Sequence, residues 1–132
     1  MSMISKKFPT AALIDGQWIT SAKTFAVTDP ATGAEVAIVP DLGPTDAARA
    51  IDAASRALPA WSAKTAKERA AILKRWFDLV TAETENLAQL MTTEQGKPLA
   101  EARAEVAYGA SFIEWFAEEG KRAYGRDRKS VV

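Results

Sequence analysis

Residues 25–39, which read FAVTDPATGAEVAIV, decide the fold of the first third of the chain. Two apolar runs rich in valine and isoleucine flank the turn-forming residues DPATG. Proline, glycine and aspartate favour a chain reversal there, so the stretch predicts an antiparallel strand pair. A second pair is predicted over residues 13–19, because the Asp15-Gly16 dipeptide suits a two-residue hairpin loop.

From Thr45 onward the apolar residues recur at helical spacing instead. Thr45 is expected to cap the first helix, and Pro59 is expected to end it. Thr65 and Glu68 have the spacing of a capping box in front of the second helix. The apolar face predicted for that helix consists of Ile72, Leu73, Trp76, Leu79 and Val80.

Two further helices are predicted, over about residues 83–93 and about residues 99–122. Gly96 is placed to terminate the first of them, and Pro98 fits the first turn of the second. The apolar line of the last helix is predicted as Ala102, Val106, Gly109, Ile113, Phe116 and Gly120. The fold class is therefore α+β, with two short antiparallel strand pairs followed by about four helices. Strands and helices do not alternate, so no parallel nucleotide-binding sheet is expected within the chain.

Composition excludes several classes of function. Seventeen basic and seventeen acidic residues give a formal net charge of zero, which argues against a nucleic-acid or membrane-surface partner. No apolar run approaches the roughly 20 residues that cross a bilayer, and the first residues lack a signal-peptide core, so we expect a cytoplasmic protein. The chain has no cysteine and no histidine, which removes a thiolate nucleophile and the commonest general base.

Several short patterns invite a chemical interpretation. Gly96-Lys97-Pro98 could form an anion site at a helix start, but a helix end followed by an N-terminal proline explains it more simply. Glu94 could bind a cation or be a solvated acid. The acidic residues of the last helix could pair as metal ligands, yet without histidine we interpret them as solvated charges, partly paired with Arg103, Lys121 and Arg122. They are Glu101, Glu105, Glu114, Glu118 and Glu119.

The four tryptophans are numerous for 132 residues. Helical placement of Trp76 and Trp115 predicts anchors in a core or an interface rather than platforms on which bases stack. The basic residues do not cluster as an electrostatic groove for a nucleic-acid strand requires. The residue chemistry alone therefore predicts a scaffold without an active site.

The order of the motifs resembles the aldehyde dehydrogenase family. Residues 13–18 resemble its opening xIxGxW, and residues 27–33 resemble its VxNPATGE turn, with Asp29 in place of the usual asparagine. Residues 65–75 are similar to TxxERAxILxxW, and residues 93–102 closely resemble TxEQGKPLAEA. Residues 108–125 are similar to the succinate-semialdehyde dehydrogenase branch.

The resemblance implies an oxidoreductase that converts an aldehyde, succinate semialdehyde for this branch, to a carboxylic acid with NAD or NADP. In such enzymes a cysteine attacks the aldehyde and a glutamate activates the deacylating water. Both residues lie in later segments of family members, so the resemblance implies no catalytic or cofactor-binding residue here and predicts an inactive chain. It further implies a small-molecule aldehyde as partner, no nucleic acid, no membrane, and a parent that is a homodimer or homotetramer.

By position in the family, two sets of residues are candidates for a site. Glu105, Tyr108 and Phe112 would lie at the rim of the substrate tunnel. Val27, Thr28 and Glu94 would match a structural monovalent-cation site that uses backbone carbonyls and an acid, although Glu94 replaces the more usual aspartate.

Three segments are expected along the chain. Residues 1–11 form a flexible N-terminus, residues 12–125 form the N-terminal part of an aldehyde dehydrogenase domain, and residues 126–132 form a non-family tail. The codons that can encode that tail resemble a sequencing-library adapter, so read-through is one explanation and a natural polar tail is the other. The alternative to a truncated enzyme is a stand-alone helical interaction module, which would use the last helix to bind a partner.

Overall fold

The structure, a computed structural model, describes residues 8–122 of the chain. Two strand pairs precede four α-helices, as the sequence predicts. The strands are β1 (Ala12–Ile14), β2 (Gln17–Ile19), β3 (Thr24–Thr28) and β4 (Glu35–Pro40). The helices are α1 (Pro44–Ser62), α2 (Ala66–Ala82), α3 (Thr84–Gln95) and α4 (Leu99–Glu119), and a 3₁₀ turn over Gly120–Arg122 follows. Most of the expected flexible N-terminus and the whole expected tail lie outside the described residues.

Each strand pair is a separate antiparallel hairpin. In the first, Asp15 and Gly16 both have positive φ, 52° and 72°, which is the backbone that the Asp-Gly dipeptide was expected to adopt. In the second, Gly33 has a φ of 72°, and the Asp29 carboxylate accepts a hydrogen bond of 2.7 Å from the amide of Ala31. This side-chain bond closes an Asx turn and fixes the tip between β3 and β4.

Helix α1 differs from its prediction at both ends. It starts at Pro44 after Gly43, and no side chain caps it, so Thr45 is not the cap. Proline suits the first helical position because its missing N–H would have no partner there in any case. Pro59 lies inside the helix, which continues to Ser62, so the expectation that Pro59 ends it is wrong. Only one N–H is lost at that point, and the Ser62 hydroxyl donates to the carbonyls of Leu58 and Pro59 in the last turn.

Helix α2 begins with the predicted capping box. The Thr65 amide donates to the Glu68 carboxylate at 2.7 Å, and the Glu68 amide donates to the Thr65 hydroxyl at 3.3 Å. These bonds satisfy two backbone donors that a helix start leaves without partners. The Thr65 bonds also hold the pKa of Glu68 below its ordinary value.

Helices α3 and α4 are joined by a tight reversal. Gly96 is left-handed, with φ 74°, and donates its amide to the Thr92 carbonyl, which confirms it as the residue that ends α3. Pro98 precedes α4 in an extended backbone conformation instead of occupying its first turn. Proline suits this position directly before the helix because its φ is fixed and it has no N–H that needs a partner.

The packed core is small and consists mainly of alanine. Ala88, Ala102 and Val106 form its centre, with partly buried side chains from α2, α3 and α4 around them: Val80, Leu87, Met91 and Leu99. Along α4 the buried residues are Ala102, Val106, Ala110 and Ala117. Three predicted members of the apolar line are exposed: Gly109, Phe116 and Gly120. Small residues are buried because they let α2 and α3 approach α4 closely. The hydrophobicity of the side chains alone could not predict that small residues would be the buried ones.

Within residues 8–122, no helix is long and apolar enough to cross a membrane.

Candidate functional site

The three candidate rim residues lie on one side of α4. Their positions, 105, 108 and 112, are about one helical turn apart, and all three side chains are exposed. The rings of Tyr108 and Phe112 meet edge to face, with centroids 4.8 Å apart and an interplanar angle of 81°. The two rings thus form an aromatic surface next to the Glu105 carboxylate.

Phe112 also lines an open groove of about 630 Å³ along the second half of α4. Trp115 and Phe116 contribute apolar walls, and Glu118, Glu119 and Arg122 contribute charges at its margin. A concave, mostly aromatic surface with charges at its edge suits an organic ligand or another protein segment. The Ser111 hydroxyl, also in the lining, donates to the Tyr108 carbonyl.

Lys97 is a neighbour of the rim that the sequence did not reveal. Its ammonium forms an ion pair with the Glu105 carboxylate, eight residues along the chain. The pair spans the reversal before α4, so the usual i, i+3 and i, i+4 rules for helices could not have found it. The Glu105 carboxylate is thereby held by Lys97, which belongs to the Gly96-Lys97-Pro98 run that could also form an anion site.

Three more acidic residues of α4 form ion pairs with basic side chains of α2 and of the 3₁₀ turn. Glu114 meets Lys74 of α2 at 3.4 Å, Glu118 meets Lys121 at 2.7 Å, and Glu119 meets Arg122 at 2.7 Å. Within the described part of the chain no cluster of acidic residues could hold a metal ion. The expected pairing with Lys121 and Arg122 is confirmed, and Lys74 is a partner that was not expected.

Arg103 has a different partner from the one expected. Its guanidinium donates two hydrogen bonds, of 2.7 and 2.8 Å, to the two carboxylate oxygens of Glu85 at the start of α3. Such a two-pronged bond fixes direction as well as distance. It ties α3 to α4, and the hydrogen bonds from Arg103 and from Gln89 hold the pKa of Glu85 below its ordinary value.

The structure brings together the segments that contain the candidate cation ligands. Gly96 packs against the ring of Pro30, which places the turn after Thr28 beside the end of α3, where Glu94 lies. Val27 is half-buried, while Thr28 and Glu94 are exposed. One carboxylate and two backbone carbonyls suit a weakly held monovalent cation, whereas a divalent cation usually takes several carboxylates.

Trp76 and Trp115 are largely exposed in this chain, at 55% and 62% of their full surface. The prediction that these two tryptophans lie in a core is therefore wrong within residues 8–122. On α2 the buried or half-buried Ala70, Leu73 and Phe77 share one side, and the exposed Trp76 lies on the adjacent side. Helical spacing alone did not separate these two neighbouring apolar strips.

Comparison with known proteins gives a consistent result. Residues 18–131 match the model of the aldehyde dehydrogenase family. A glutarate-semialdehyde dehydrogenase of Pseudomonas putida is 58% identical over 89% of this chain and 25% of its own length. An NADP-dependent succinate-semialdehyde dehydrogenase of Escherichia coli is 56% identical over 92% of this chain and 26% of its own length. A 3-sulfolactaldehyde dehydrogenase of Pseudomonas putida is 56% identical over 86% of this chain and 24% of its own length.

Solved structures share the fold as well. A crystal structure of an E. coli NADP-dependent enzyme superposes with a TM-score of 0.86 at 56% identity, over 91% of this chain and 25% of that one. A Staphylococcus aureus betaine aldehyde dehydrogenase in complex with NAD⁺ gives 0.84 at 30% identity, over 90% of this chain and 25% of that one. The chain thus spans about a quarter of the length of the relatives that it matches.

Proposed function

Because the chain belongs to the aldehyde dehydrogenase family, we propose that it is part of an NAD(P)-dependent enzyme that oxidises succinate semialdehyde to the dicarboxylic acid. The observation that carries this proposal is the 56% identity to an E. coli succinate-semialdehyde dehydrogenase across 92% of the chain. The proposed soluble, cytoplasmic parent would act on a small aldehyde and assemble as a homodimer or homotetramer. Neither a nucleic acid nor a membrane belongs to the proposed function.

The names of three similar relatives support a substrate class. Glutarate semialdehyde, succinate semialdehyde and 3-sulfolactaldehyde are the aldehydes named. Each is a short aldehyde with an anionic group, a carboxylate or a sulfonate, away from the reacting carbon. We therefore expect the parent enzyme to prefer anionic short-chain aldehydes to neutral ones of the same length.

The 132-residue chain is proposed to be inactive by itself. Oxidation of an aldehyde in this family proceeds through a thiolate nucleophile, and the sequence contains no cysteine. NAD or NADP would accept hydride when bound in the parent, and we assign no residue of this chain to holding it.

A rim role for Glu105, Tyr108 and Phe112 is supported by their common side on α4 and by the edge-to-face ring pair. The Lys97 ion pair would keep the Glu105 carboxylate turned toward the reversal before α4. A monovalent-cation site at Val27, Thr28 and Glu94 is supported by the contact between Gly96 and Pro30. In the parent, that site would stabilise the junction between the second hairpin and α3.

A chimera tests whether residues 8–122 can serve as the matching part of such an enzyme. In the E. coli relative, the segment that matches this chain would be replaced by residues 8–122. NADP-dependent oxidation of succinate semialdehyde should persist, and the isolated 132-residue chain should show no turnover with NAD or NADP. A folded chimera that oxidises only aldehydes without an anionic group would contradict the proposal, as would turnover by the isolated chain.

A further inference from the structure

An apolar face lies open on the helices of this chain. One shallow groove of about 350 Å³ runs between α2, α3 and α4, and a second of about 340 Å³ lies beside α2. The two grooves share Val80 and Leu87, so they form one continuous surface. We name it the α2–α3 face, and its main apolar residues are Trp76, Leu79, Val80, Leu87, Leu90 and Ile113.

The exposure of this face exceeds what a finished domain shows. Trp76 and Leu79 are 55% and 56% exposed, and no large side chain within residues 8–122 is fully buried. Large apolar side chains left open in this way are typical of a surface that another protein segment covers.

We propose that the α2–α3 face is a docking surface for the remaining three quarters of an aldehyde dehydrogenase subunit, and that the separate chain can bind that part in trans. In the E. coli crystal structure the same fold makes up only 25% of a longer chain. The occupant is therefore a protein segment of known sequence. This proposal rests on family membership and does not depend on the proposed substrate.

A second copy of the chain explains the exposure less well. Exposed apolar side chains also lie on α1, at Ile51 and Leu58, on α4, at Phe116, and on both hairpins. Helix α1 has no buried residue at all. A two-fold dimer buries one self-complementary patch, whereas a larger segment of chain can cover several sides of the same fold.

Co-expression tests the docking. The tagged 132-residue chain would be produced together with an E. coli succinate-semialdehyde dehydrogenase that lacks its matching segment, and the amount of the second protein recovered on the tag would be measured. Leu79→Asp should lower that recovery at least tenfold, because it puts a charge in the α2–α3 face. Thr81→Asp is the matched control in the same last turn of α2, on an exposed side away from the face, and it should keep recovery within twofold.

Circular dichroism of each variant checks that helix content is retained, and Leu90→Asp on α3 repeats the test if Leu79→Asp loses helix. Equal recovery with the face and control variants would overturn the proposal. So would absence of binding by the unmodified chain, or a homodimer that Leu79→Asp dissociates. No activity is assayed, so a wrong substrate assignment leaves the result intact.

Discussion

A Cβ atom placed on Gly96 would lie 3.1 Å from Cγ of Pro30, 66 positions earlier in the chain. That distance is closer than ordinary van der Waals contact, so glycine is required there for two reasons. It allows the left-handed backbone that ends α3, and it lets the turn of the second hairpin approach the helix end. The second hairpin and the end of α3 therefore contact each other at Pro30 and Gly96.

Replacing Gly96 should therefore lower the free energy of unfolding more than replacing a glycine that is needed only for its left-handed backbone conformation. Gly33 has nearly the same φ, 72° against 74°, with open space around its Cβ position. Gly33→Ala should lower the free energy of unfolding by about 1 kcal/mol, and Gly96→Ala should lower it further because the Pro30 ring must move. Urea unfolding of the 132-residue chain measures both.

Adding Pro30→Ala to Gly96→Ala removes the ring from the contact and should recover part of the extra loss, while adding it to Gly33→Ala should recover nothing. Equal effects of the two glycine substitutions would show that the contact with Pro30 carries no energy.

The capping box provides a second test. Thr65→Ala removes the side-chain acceptor for the Glu68 amide and should destabilise the chain by about 1 kcal/mol. Thr65→Ser keeps a hydroxyl at the same place and should restore most of the loss. Helix content by circular dichroism, followed during urea unfolding, reports both values, and a serine variant as weak as the alanine variant would contradict the role of this bond.

The sequence predicted those features that depend on neighbouring residues. Asp15 and Gly16, the Thr65–Glu68 box and the helix end at Gly96 all follow from short-range backbone chemistry, and the structure confirms them. Contacts between distant segments were not predictable in the same way. Arg103 could have paired with several acids, and the packing of α3 against α4 brings it to Glu85.

The apolar strips show why the rest could not be predicted. On α2, helical spacing grouped Trp76 with Leu73, yet in the structure Leu73 is half-buried and Trp76 is exposed. The open side is the one that we propose a further protein segment covers, and sequence spacing within residues 8–122 cannot show this. The candidate rim and cation residues came from family resemblance, because no residue type in them has a chemistry that stands out in the sequence.

The bond between Glu85 and Arg103 should make stability depend on pH. The pKa of Glu85 is held below its ordinary value of 4.5, so its contribution is complete above about that pH and is lost as pH falls through the lowered pKa. Glu85→Gln should therefore lower the urea midpoint at pH 7, and the loss should shrink as pH falls through the lowered pKa. Glu35→Gln, an exposed carboxylate on β4, is the control and should have little effect at either pH.

Cation binding should depend on Glu94. If Val27, Thr28 and Glu94 hold a monovalent cation, potassium or sodium should raise the melting temperature above that in choline chloride of equal ionic strength, because a ligand of the folded state stabilises it. Glu94→Gln should abolish this difference, while Glu101→Gln should keep it. An equal response of the unmodified chain and Glu94→Gln would exclude Glu94 as a ligand.

The rim is tested in the chimera that carries residues 8–122. Tyr108→Ala and Phe112→Ala should raise KM for succinate semialdehyde about three- to tenfold and leave kcat nearly unchanged, because a contact at a tunnel mouth acts on binding before the chemical step. Phe25→Ala on β3 removes an aromatic ring of similar exposure, 53% against 47% for Phe112, and should change neither constant. A fall in kcat without a change in KM would place these rings elsewhere than at the rim.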